Sequence, residues 1–210
     1  MIRVLIADDH AVVRRGVRQI LEETSDIEVG GEAASAAELW PKACEGRWDA
    51  IVLDVNLPGR SGLELLADIK KERPEIPVLI LTVHSEEQYA VRAMKAGASG
   101  FLTKESAPEK LVDAIRCIAA GRRFITPEVA DKLASTVARG EQGPLHETLS
   151  DREFQILNMI ASGKTVSQIG RELSLSVKTI STHRTRILKK MNLKTNAELT
   201  HYAIRNGLVS

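Results

Sequence analysis

Polar side chains with the chemistry of a phosphoryl-transfer site follow four separate apolar segments of the sequence. They are Asp8 and Asp9, Asp54, Thr82, and Thr103 with Lys104. Three carboxylates packed together repel one another unless a divalent cation compensates their charge. Oxygen ligands of this kind suit Mg²⁺, which commonly shares carboxylates with phosphate. The residue types therefore predict a site for Mg²⁺ and a phosphoryl group.

Each of these side chains has a distinct role in such chemistry. Phosphoryl transfer is catalysed mainly by positioning and by stabilising the charge that develops on the phosphoryl oxygens. Asp54 would be the nucleophile, and Asp8 and Asp9 would hold the metal. Lys104 would pair with the phosphoryl oxygens, and the Thr82 hydroxyl would hydrogen-bond one of them. At any single position, a polar residue that merely ends a strand is the commoner explanation. Four coincident strand ends favour a site.

The first 120 residues alternate short segments rich in Val, Ile and Leu with longer segments of helical periodicity. This pattern predicts an α/β fold with a doubly wound, five-stranded parallel sheet covered by helices. The predicted strands are residues 2–7, 28–32, 50–53, 78–81 and 100–102. The predicted helices are residues 10–23, 36–44, 62–72, 86–96 and 108–120. Because the carboxyl ends of parallel strands share one edge of the sheet, where ligands bind, the polar residues should converge there.

The remaining residues predict a linker and a second, smaller domain. A chain of 210 residues favours two modest domains over one. Periodicity weakens over residues 121–148, where glycines and a proline follow a short predicted helix at Pro127–Arg139, and we interpret this segment as a partly helical linker. Residues 149–210 show only helical patterns, which predicts an all-α domain. Its predicted helices are residues 151–161, 165–173, 177–191 and 196–206.

The charge of the two domains has opposite sign. Residues 1–120 carry 15 basic and 20 acidic residues, a net charge of −5, and the linker is neutral. Residues 149–210 carry 10 basic and 4 acidic residues, a net charge of +6. An acidic domain suits cations and a basic domain suits polyanions, although a modest excess also serves solubility.

The composition predicts a cytoplasmic protein without disulfides. The longest apolar runs, such as residues 77–81, are far shorter than the roughly 20 residues that cross a bilayer. The N-terminus has no apolar signal region with a cleavage site. Cys44 and Cys117 lack metal-ligand or C-x-x-C spacing, so we interpret them as buried reduced thiols.

The basic domain contains a predicted helix at residues 165–173, a tight turn at residues 174–176 and a second helix at residues 177–191. Ser176 is a natural N-cap for the second helix. One face of that helix is apolar, and the opposite face carries Lys178, Thr182, Thr185 and Lys189. Such a face can offer cations to phosphates and hydroxyls to base edges in a major groove. By periodicity alone, a solvated amphipathic helix explains the pattern equally well.

The N-terminal 120 residues resemble the receiver domain of two-component response regulators. The matching residues are Asp8-Asp9, the run DVNLPGRSG from Asp54 to Gly62, Thr82, Ala96–Ala98, and Gly100–Lys104. The resemblance implies a flavodoxin-like fold and transfer of a phosphoryl group from a histidine kinase to Asp54 in the presence of Mg²⁺. It also implies the backbone carbonyl of Asn56 as a metal ligand and a switch formed by Thr82 and Phe101. A buried core aromatic is a close alternative for Phe101.

One residue departs from the receiver pattern. Many receivers have a proline after the lysine, often joined by a cis peptide, whereas Glu105 follows Lys104 here. A cis bond before a residue other than proline costs about 2.5 to 4 kcal/mol. The sequence leaves the geometry of this peptide open.

The C-terminal residues resemble the LuxR-type helix-turn-helix domain, and together with a receiver they are typical of a NarL/FixJ-type response regulator. The matching residues are Leu149–Glu153, Ile169–Leu173 and Val177–His183. The resemblance implies Lys178, Thr179 and Lys189 at the DNA backbone, with Ser181, Thr182 and Thr185 near bases. Arg186 and Lys190 flank this face as further cations. Some relatives have lysine where Ser181 stands, which leaves base readout here weaker or differently arranged.

Two further expectations concern Arg184 and the last helix. The stem of Arg184 can pack beside the apolar face while its guanidinium reaches outward, where a phosphate contact remains open. In the family, the last helix, here residues 196–206, commonly supplies a dimer contact. A homodimer would bind two half-sites of double-stranded promoter DNA. RNA polymerase is a further candidate partner.

The leading hypothesis is a transcription regulator in which phosphorylation of Asp54 shifts a two-state receiver and thereby changes DNA affinity. Self-phosphorylation from a phosphohistidine donor and autodephosphorylation would be its only chemistry. A phosphatase with an aspartate nucleophile is the second hypothesis, but that chemistry usually has D-x-D at the first strand, whereas Asp8 and Asp9 are adjacent here. A constitutive DNA-binding protein is the third, and the intact set of Asp54, Thr82 and Lys104 argues against it.

Overall fold

A computed structural model of the protein describes residues 1–83, 86–139 and 144–209. The chain forms two compact units, Met1–Ser135 and Thr136–Ser210. Among the described residues, no helix has the length and apolar character needed to span a membrane.

The N-terminal unit contains five parallel strands with helices between them. The strands are β1 (Ile2–Ala7), β2 (Ile27–Ala33), β3 (Ala50–Leu53), β4 (Val78–Thr82) and β5 (Gly100–Thr103). The helices are α1 (Ala11–Glu22), α2 (Ala36–Glu45), α3 (Gly62–Glu72), α4 (Glu86–Lys95) and α5 (Ala107–Ala119). They are followed by α6 (Pro127–Arg139), which continues past Ser135, the last residue of this unit. The strand order is β2-β1-β3-β4-β5, and every neighbouring pair is parallel. The predicted α/β class with a doubly wound five-stranded sheet is confirmed.

Burial on both faces of the sheet explains why the central strands are almost continuously apolar. Every residue of β3 and β4 is buried. The helices α1 and α5 contact each other, and their apolar side chains join those of the strands in one buried cluster. The helices α2 and α3 also contact each other. Since crossover helices cover both faces of such a sheet, polar groups are left mainly at the ends of its strands.

The predicted ends of the elements differ from the observed ones by at most one residue. The helix predicted at residues 10–23 is Ala11–Glu22, because His10 has an extended backbone and Glu23 caps the carboxyl end. The strand predicted at residues 28–32 is one residue longer at each end. Cap geometry decides the helix limits, and periodicity does not report it.

The cysteines differ from the prediction in their burial. Both Cys44 and Cys117 are free, and both are half-exposed rather than buried. Cys117 Sγ lies 3.5 Å from the main-chain oxygen of Arg123, which it can reach as a weak donor. The prediction that the two thiols are buried is therefore wrong.

The C-terminal unit is helical. It contains a short 3₁₀ helix, Leu145–Thr148, followed by α7 (Asp151–Ala161), α8 (Val166–Glu172), α9 (Val177–Lys190) and α10 (Asn196–Arg205). The 3₁₀ helix lies within the predicted linker and is too short to give a periodic signal. The helix α7 contacts α8, α9 and α10. The predicted all-α second domain is confirmed.

Side-chain caps determine where the helices of this unit begin. Ser150 and Glu153 form a capping box at the start of α7, with each side chain bonded to the other residue's main-chain N–H. The Oγ of Ser176 accepts a hydrogen bond of 3.0 Å from the main-chain N of Thr179, so the predicted N-cap of α9 is observed. Ser174, in the tight turn between α8 and α9, has a left-handed φ of 53°. These local bonds satisfy N–H groups that a helix leaves unpaired.

Candidate functional site

The sheet brings the predicted site residues to one edge. Asp8, Asp54 and Lys104 directly follow β1, β3 and β5, and Thr82 is the last residue of β4. Since all these strands are parallel, their carboxyl ends lie together. The main-chain N of Lys104 donates to the main-chain O of Thr82 at 2.8 Å. The chain thus places the predicted nucleophile, metal ligands and phosphoryl-binding groups in one region.

Lys104 joins the two most buried carboxylates. Its Nζ lies 2.6 Å from Oδ2 of Asp8 and 2.7 Å from Oδ2 of Asp54, and these side chains are only 4% and 2% exposed. Burial raises the pKa of Asp54, and although Lys104 opposes this effect, the nearby charge of Asp8 adds to it, so the pKa stands above its ordinary value. Burial alone would lower the pKa of Lys104, but Asp54 and Asp8 outweigh burial and raise it. The lysine is therefore a charged ammonium.

The acidic residues at this edge are arranged to hold a metal ion. One ligand atom from each of Asp8, Asp9, His10 and Asp54 lies within 4.8 Å of the others. Oδ2 of Asp8 and Oδ1 of Asp9 are buried and accept no hydrogen bond of good geometry. Their close neighbours are Nζ of Lys104 and Nδ1 of His10, each at 2.6 Å. Buried carboxylate oxygens with so few donors fit a divalent cation that prefers oxygen ligands.

Two residues without a role in the sequence analysis fix the end of β1. The Nη1 of Arg14 donates to the main-chain O of Asp8 at 2.6 Å, and its Nε donates to Glu32 at 3.1 Å. The main-chain N of His10 donates to Oδ1 of Asp8 at 2.8 Å. Arg14 gave no signal in the sequence because an arginine on α1 looks like an ordinary solvated residue. Its bond to Asp8 holds the main chain at the end of β1.

Gly62 allows the loop after Asp54 to fold back on itself. Its main-chain N donates to the main-chain O of Val55 at 2.8 Å. A Cβ at position 62 would lie only 2.1 Å from the main-chain O of Asp54, so any larger residue must displace the loop. The main-chain N of Asn56 donates to Oδ1 of Asp54 at 3.2 Å. The shape of this loop therefore holds one oxygen of the Asp54 carboxylate.

The predicted switch residues lie inside the N-terminal unit. Thr82 is 0% exposed and Phe101 is 1% exposed. Thr82 pairs with Thr103 and Ile80 pairs with Phe101 in the β4–β5 ladder.

The peptide between Lys104 and Glu105 is trans, as are all peptides of the described residues. This answers the question that the sequence left open where a proline is missing after Lys104.

The exposed face of α9 carries the residues predicted to contact DNA. Lys178, Ser181, Thr182, Thr185, Arg186 and Lys189 are all exposed, and Thr179 is half-exposed. Ile180, Ile187, Leu188 and Met191 are buried on the opposite face. Within the part of the chain that the structure describes, the cations of Lys178, Arg186 and Lys189 have no ion-pair partner, which leaves them available for phosphate.

Two hydroxyl groups on this face are bonded to their own helix. Thr182 Oγ1 donates to the main-chain O of Lys178, and Thr185 Oγ1 donates to the main-chain O of Ser181, both at 3.0 Å. Such bonds to the residue four positions earlier are common for threonine within helices. They fix the direction of each hydroxyl hydrogen.

Two basic residues of α9 have partners within the C-terminal unit. Lys190 Nζ lies 2.6 Å from Oε2 of Glu153, whose side chain is only 5% exposed. Arg184 Nε donates to Oδ1 of Asn196 at 2.5 Å, at the start of α10. Burial would raise the pKa of Glu153, but the hydrogen bond from Lys190 and the main-chain N–H of Ser150 lower it. The structure thus gives Lys190 and Arg184 positions that join helices, which the sequence did not predict.

The helix α10 presents an apolar side chain to solvent. Leu199 and Ala203 are buried within the unit, whereas 57% of Ile204 is exposed. A groove at this helix is lined by Leu193, Ala197, Glu198, His201, Tyr202 and Arg205. This is the helix for which the family resemblance implies a dimer contact.

Comparison with known proteins gives two family matches that cover most of the chain. Residues 4–116 match the response regulator receiver domain, and residues 147–203 match the bacterial regulatory proteins of the luxR family. The response regulator UvrY of Escherichia coli K12 is 39% identical over 210 residues, covering 99% of this chain and 96% of UvrY. The response regulator GacA of Pseudomonas aeruginosa is 38% identical, covering 100% of this chain and 98% of GacA.

A solved structure agrees with these matches. It is the RcsB response regulator of Salmonella typhimurium, described for its conformational dynamism in DNA interaction, with 26% identity and a TM-score of 0.59. The similarity covers 96% of this chain and 97% of RcsB. The parallel sheet with its acidic edge and the helical unit with its basic face are thus those of a known architecture. The chain belongs to the NarL/FixJ-type response regulators of two-component systems, which join a receiver domain to a LuxR-type DNA-binding domain.

Proposed function

We propose that Asp54 accepts a phosphoryl group from the phosphohistidine of a sensor histidine kinase and that this modification controls the binding of promoter DNA by the C-terminal domain. The contact of Lys104 Nζ with both Asp8 and Asp54 is the observation that carries the proposal. It sets a half-buried, charged ammonium beside a buried carboxylate, and an acyl phosphate at Asp54 would need such a cation to stabilise its oxygens. The proposed domains are residues 1–120 and 149–210, joined by a linker at residues 121–148.

In the proposed reaction, a carboxylate oxygen of Asp54 attacks the phosphorus of the phosphohistidine. The P–O bond forms as the P–N bond breaks, and the imidazole leaves with the electron pair. Lys104 stabilises the charge on the phosphoryl oxygens, and the Thr82 hydroxyl donates a hydrogen bond to one of them. Transfer from the donor and later hydrolysis of the acyl phosphate are the chain's only proposed chemistry.

Mg²⁺ is the cation that we propose for the acidic edge. Asp8, Asp9, Asp54 and the backbone carbonyl of Asn56 would hold it, and all of these groups offer oxygen. The bound ion would neutralise charge shared by the carboxylates and the phosphoryl oxygens. The two buried carboxylate oxygens without good hydrogen bonds support this assignment.

For the C-terminal domain we propose that α9 enters the major groove. Lys178, Thr179 and Lys189 would contact the DNA backbone, with Arg186 as a further cation. Ser181, Thr182 and Thr185 would lie near base edges. The exposure of this face and the DNA interaction described for RcsB support the assignment. We propose that Lys190 contributes mainly through its ion pair with Glu153.

Gating and assembly complete the proposal. Phosphorylation would shift a two-state receiver in which Thr82 and Phe101 form the switch.

A homodimer that forms through α10 would bind two half-sites, because pairing two recognition helices multiplies affinity and fixes their spacing. The exposed Ile204 on α10 supports this contact. RNA polymerase would be the downstream partner at a promoter, and a regulator that reaches bacterial DNA would work in the cytoplasm.

The proposal is tested by a gel shift against genomic fragments, with and without a small-molecule phosphodonor, on the wild type and Asp54→Asn. We expect the phosphodonor to change the DNA affinity of the wild type and to leave that of Asp54→Asn unchanged. Asp54→Asn keeps the size of the side chain and removes the nucleophilic carboxylate. If the phosphodonor leaves both proteins equal, gating by Asp54 is wrong.

A further inference from the structure

The segment that follows α5 adds a short main-chain ladder to the outer edge of β5. The main-chain N of Phe124 donates to the main-chain O of Ser99 at 2.9 Å, and the main-chain N of Phe101 donates to the main-chain O of Phe124 at 3.2 Å. Gly100 and Phe124 form a parallel bridge. Because β5 is the last strand of the sheet, this segment covers main-chain groups that would otherwise face outward.

The side chains around this bridge make it specific. The Phe124 ring packs against the buried cluster that contains Leu102 of β5 and Leu111 of α5. A Cβ at position 100 would lie 3.0 Å from the main-chain O of Phe124 and 2.9 Å from Cδ1 of Leu79. Only glycine at position 100 lets the segment approach β5 this closely without displacing a neighbour.

The same strand leads to the residues of the phosphoacceptor site. Phe101, which donates to Phe124, is the predicted switch aromatic, and Lys104 follows three residues later with its Nζ 2.7 Å from Asp54. Residues 101–104 therefore connect the Asp54 site to the bridge through a few peptide units. In the other direction, α6 begins at Pro127, three residues after Phe124, and leads toward the C-terminal domain.

We propose that residues 123–126, which we call the Phe124 bridge, are the contact through which the state of Asp54 reaches the linker. The proposal rests on the function proposed above. The bridge has two states, formed on β5 and released from it, and phosphorylation changes their populations by displacing Lys104 and β5. The DNA response requires the bridge. Acceptance of the phosphoryl group does not, because the bridge bonds to Ser99 and Phe101 and not to the Asp54 carboxyl.

The first test compares full-length variants within this segment. Phe124→Pro removes the N–H that donates to Ser99 and so prevents the ladder from forming. Arg122→Ala changes an exposed neighbour and is the matched control. We measure the extent of Asp54 phosphorylation by phosphate-affinity electrophoresis and the ratio of DNA affinities with and without a small-molecule phosphodonor. Arg122→Ala should keep the wild-type ratio. Phe124→Pro should be phosphorylated within twofold of the wild type, but its ratio should fall to within twofold of one.

Two further measurements distinguish loss of the bridge from misfolding of Phe124→Pro. Phe124→Leu keeps the main-chain donor and an apolar side chain, and should recover most of the wild-type ratio. Hydrogen exchange of the Phe101 and Phe124 amides should change on addition of the phosphodonor in the wild type and should not change in Asp54→Asn. This measurement needs no substitution within the bridge, so it does not depend on how a bridge variant folds.

The outcomes separate this inference from the proposed function. An equal affinity ratio in Phe124→Pro and the wild type, or unchanged exchange of both amides in the wild type, overturns the Phe124 bridge and leaves gating by Asp54 standing. If the wild type itself shows no phosphodonor effect on DNA affinity, the proposed function is wrong and the bridge has nothing to transmit.

Discussion

The ammonium of Lys104 lies 2.7 Å from Oδ2 of Asp54 and 2.6 Å from Oδ2 of Asp8, so one lysine compensates two buried carboxylates before any phosphoryl group arrives. Breaking a buried ion pair from one side usually costs about 3–5 kcal/mol, because the remaining charge has no partner. A divalent cation at the same edge would compensate the same carboxylates. The lysine and the metal therefore share the task of neutralising this site.

Replacing Lys104 by methionine tests that relationship. We expect Lys104→Met without Mg²⁺ to lower the free energy of unfolding by about 3 kcal/mol, because Asp8 and Asp54 lose their cation. Added Mg²⁺ should recover more stability in Lys104→Met than in the wild type. Urea denaturation with and without Mg²⁺ measures both effects. Equal stabilisation of the two proteins by Mg²⁺ would show that the ion does not bind beside these carboxylates.

The adjacent lysines at the end of α9 should respond differently to truncation. Lys189 is exposed without an ion-pair partner among the described residues, so Lys189→Ala should weaken DNA binding and reduce the slope of log affinity against log salt by about 1. Lys190 pairs with the buried Glu153, so Lys190→Ala should lower the free energy of unfolding by about 1 kcal/mol, since solvent partly screens the exposed lysine.

Salt-dependent DNA titration and thermal denaturation of the two alanine variants make the comparison. Because the substitutions are identical and neighbouring, each variant is the control for the other. The assignment fails if Lys190→Ala has the larger effect on the salt slope while leaving the melting temperature unchanged.

Gly62 should tolerate no side chain. A Cβ there would lie 2.1 Å from the main-chain O of Asp54, so Gly62→Ala must displace the loop that orients the phosphoacceptor. We expect a loss of about 2 kcal/mol or more in stability, and slower phosphorylation of Asp54. Gly16→Ala is the matched control, because Gly16 lies within α1 and a Cβ there would meet no atom within 4 Å. It should be neutral or stabilising by up to about 1 kcal/mol. Urea denaturation and the rate of phosphorylation by a small-molecule phosphodonor compare the two variants.

The ion pair between Asp26 and Arg116 predicts a measurable titration. Arg116 Nε and Nη2 donate to the two carboxylate oxygens at 2.9 and 2.8 Å. The Arg116 hydrogen bonds lower the pKa of Asp26 from 3.8 to about 2. Because the pKa is lowered on folding, the pair stabilises the protein above pH 3.8, and this contribution is lost as the pH falls through about 2.

Carbon-detected NMR titration of the Asp26 carboxyl measures this pKa in the wild type and in Arg116→Ala. The variant should return the pKa toward its ordinary value. An unchanged midpoint would mean that the guanidinium does not hold the carboxylate in solution.

Strand and helix periodicity located the elements of both domains because this protein follows simple patterns. The central strands are buried on both faces, so their apolar runs stand out against amphipathic helices such as α5. The polar residues at the strand ends could be placed together because parallel strands share one edge. Lys104 beside Asp54 is the pairing that this reasoning predicted.

Other contacts had no signal in the sequence. The Arg14 bond to the main-chain O of Asp8 depends on where a helix face meets a strand end, which periodicity does not specify. Lys190 belonged to the same basic run as Lys189, and only the packing of α7 against α9 separates their surroundings. Phe124 lay in a segment interpreted as linker, although its ring packs against the N-terminal core. Contacts that depend on how separate elements pack against one another were therefore the part that the sequence could not provide.

The hydroxyl hydrogens of Thr182 and Thr185 are bonded within α9, and this affects which DNA edges the helix can recognise. A threonine whose hydrogen is already donated can only accept, so in a major groove its natural counterparts are the exocyclic amino groups of adenine and cytosine. Guanine and thymine present carbonyl oxygens at the corresponding positions. Because these oxygens are acceptors, they would need a donor other than the two threonines, such as a basic side chain of α9 or a water molecule. The hydrogen bonds within α9 thus favour contacts of these two threonines with adenine and cytosine.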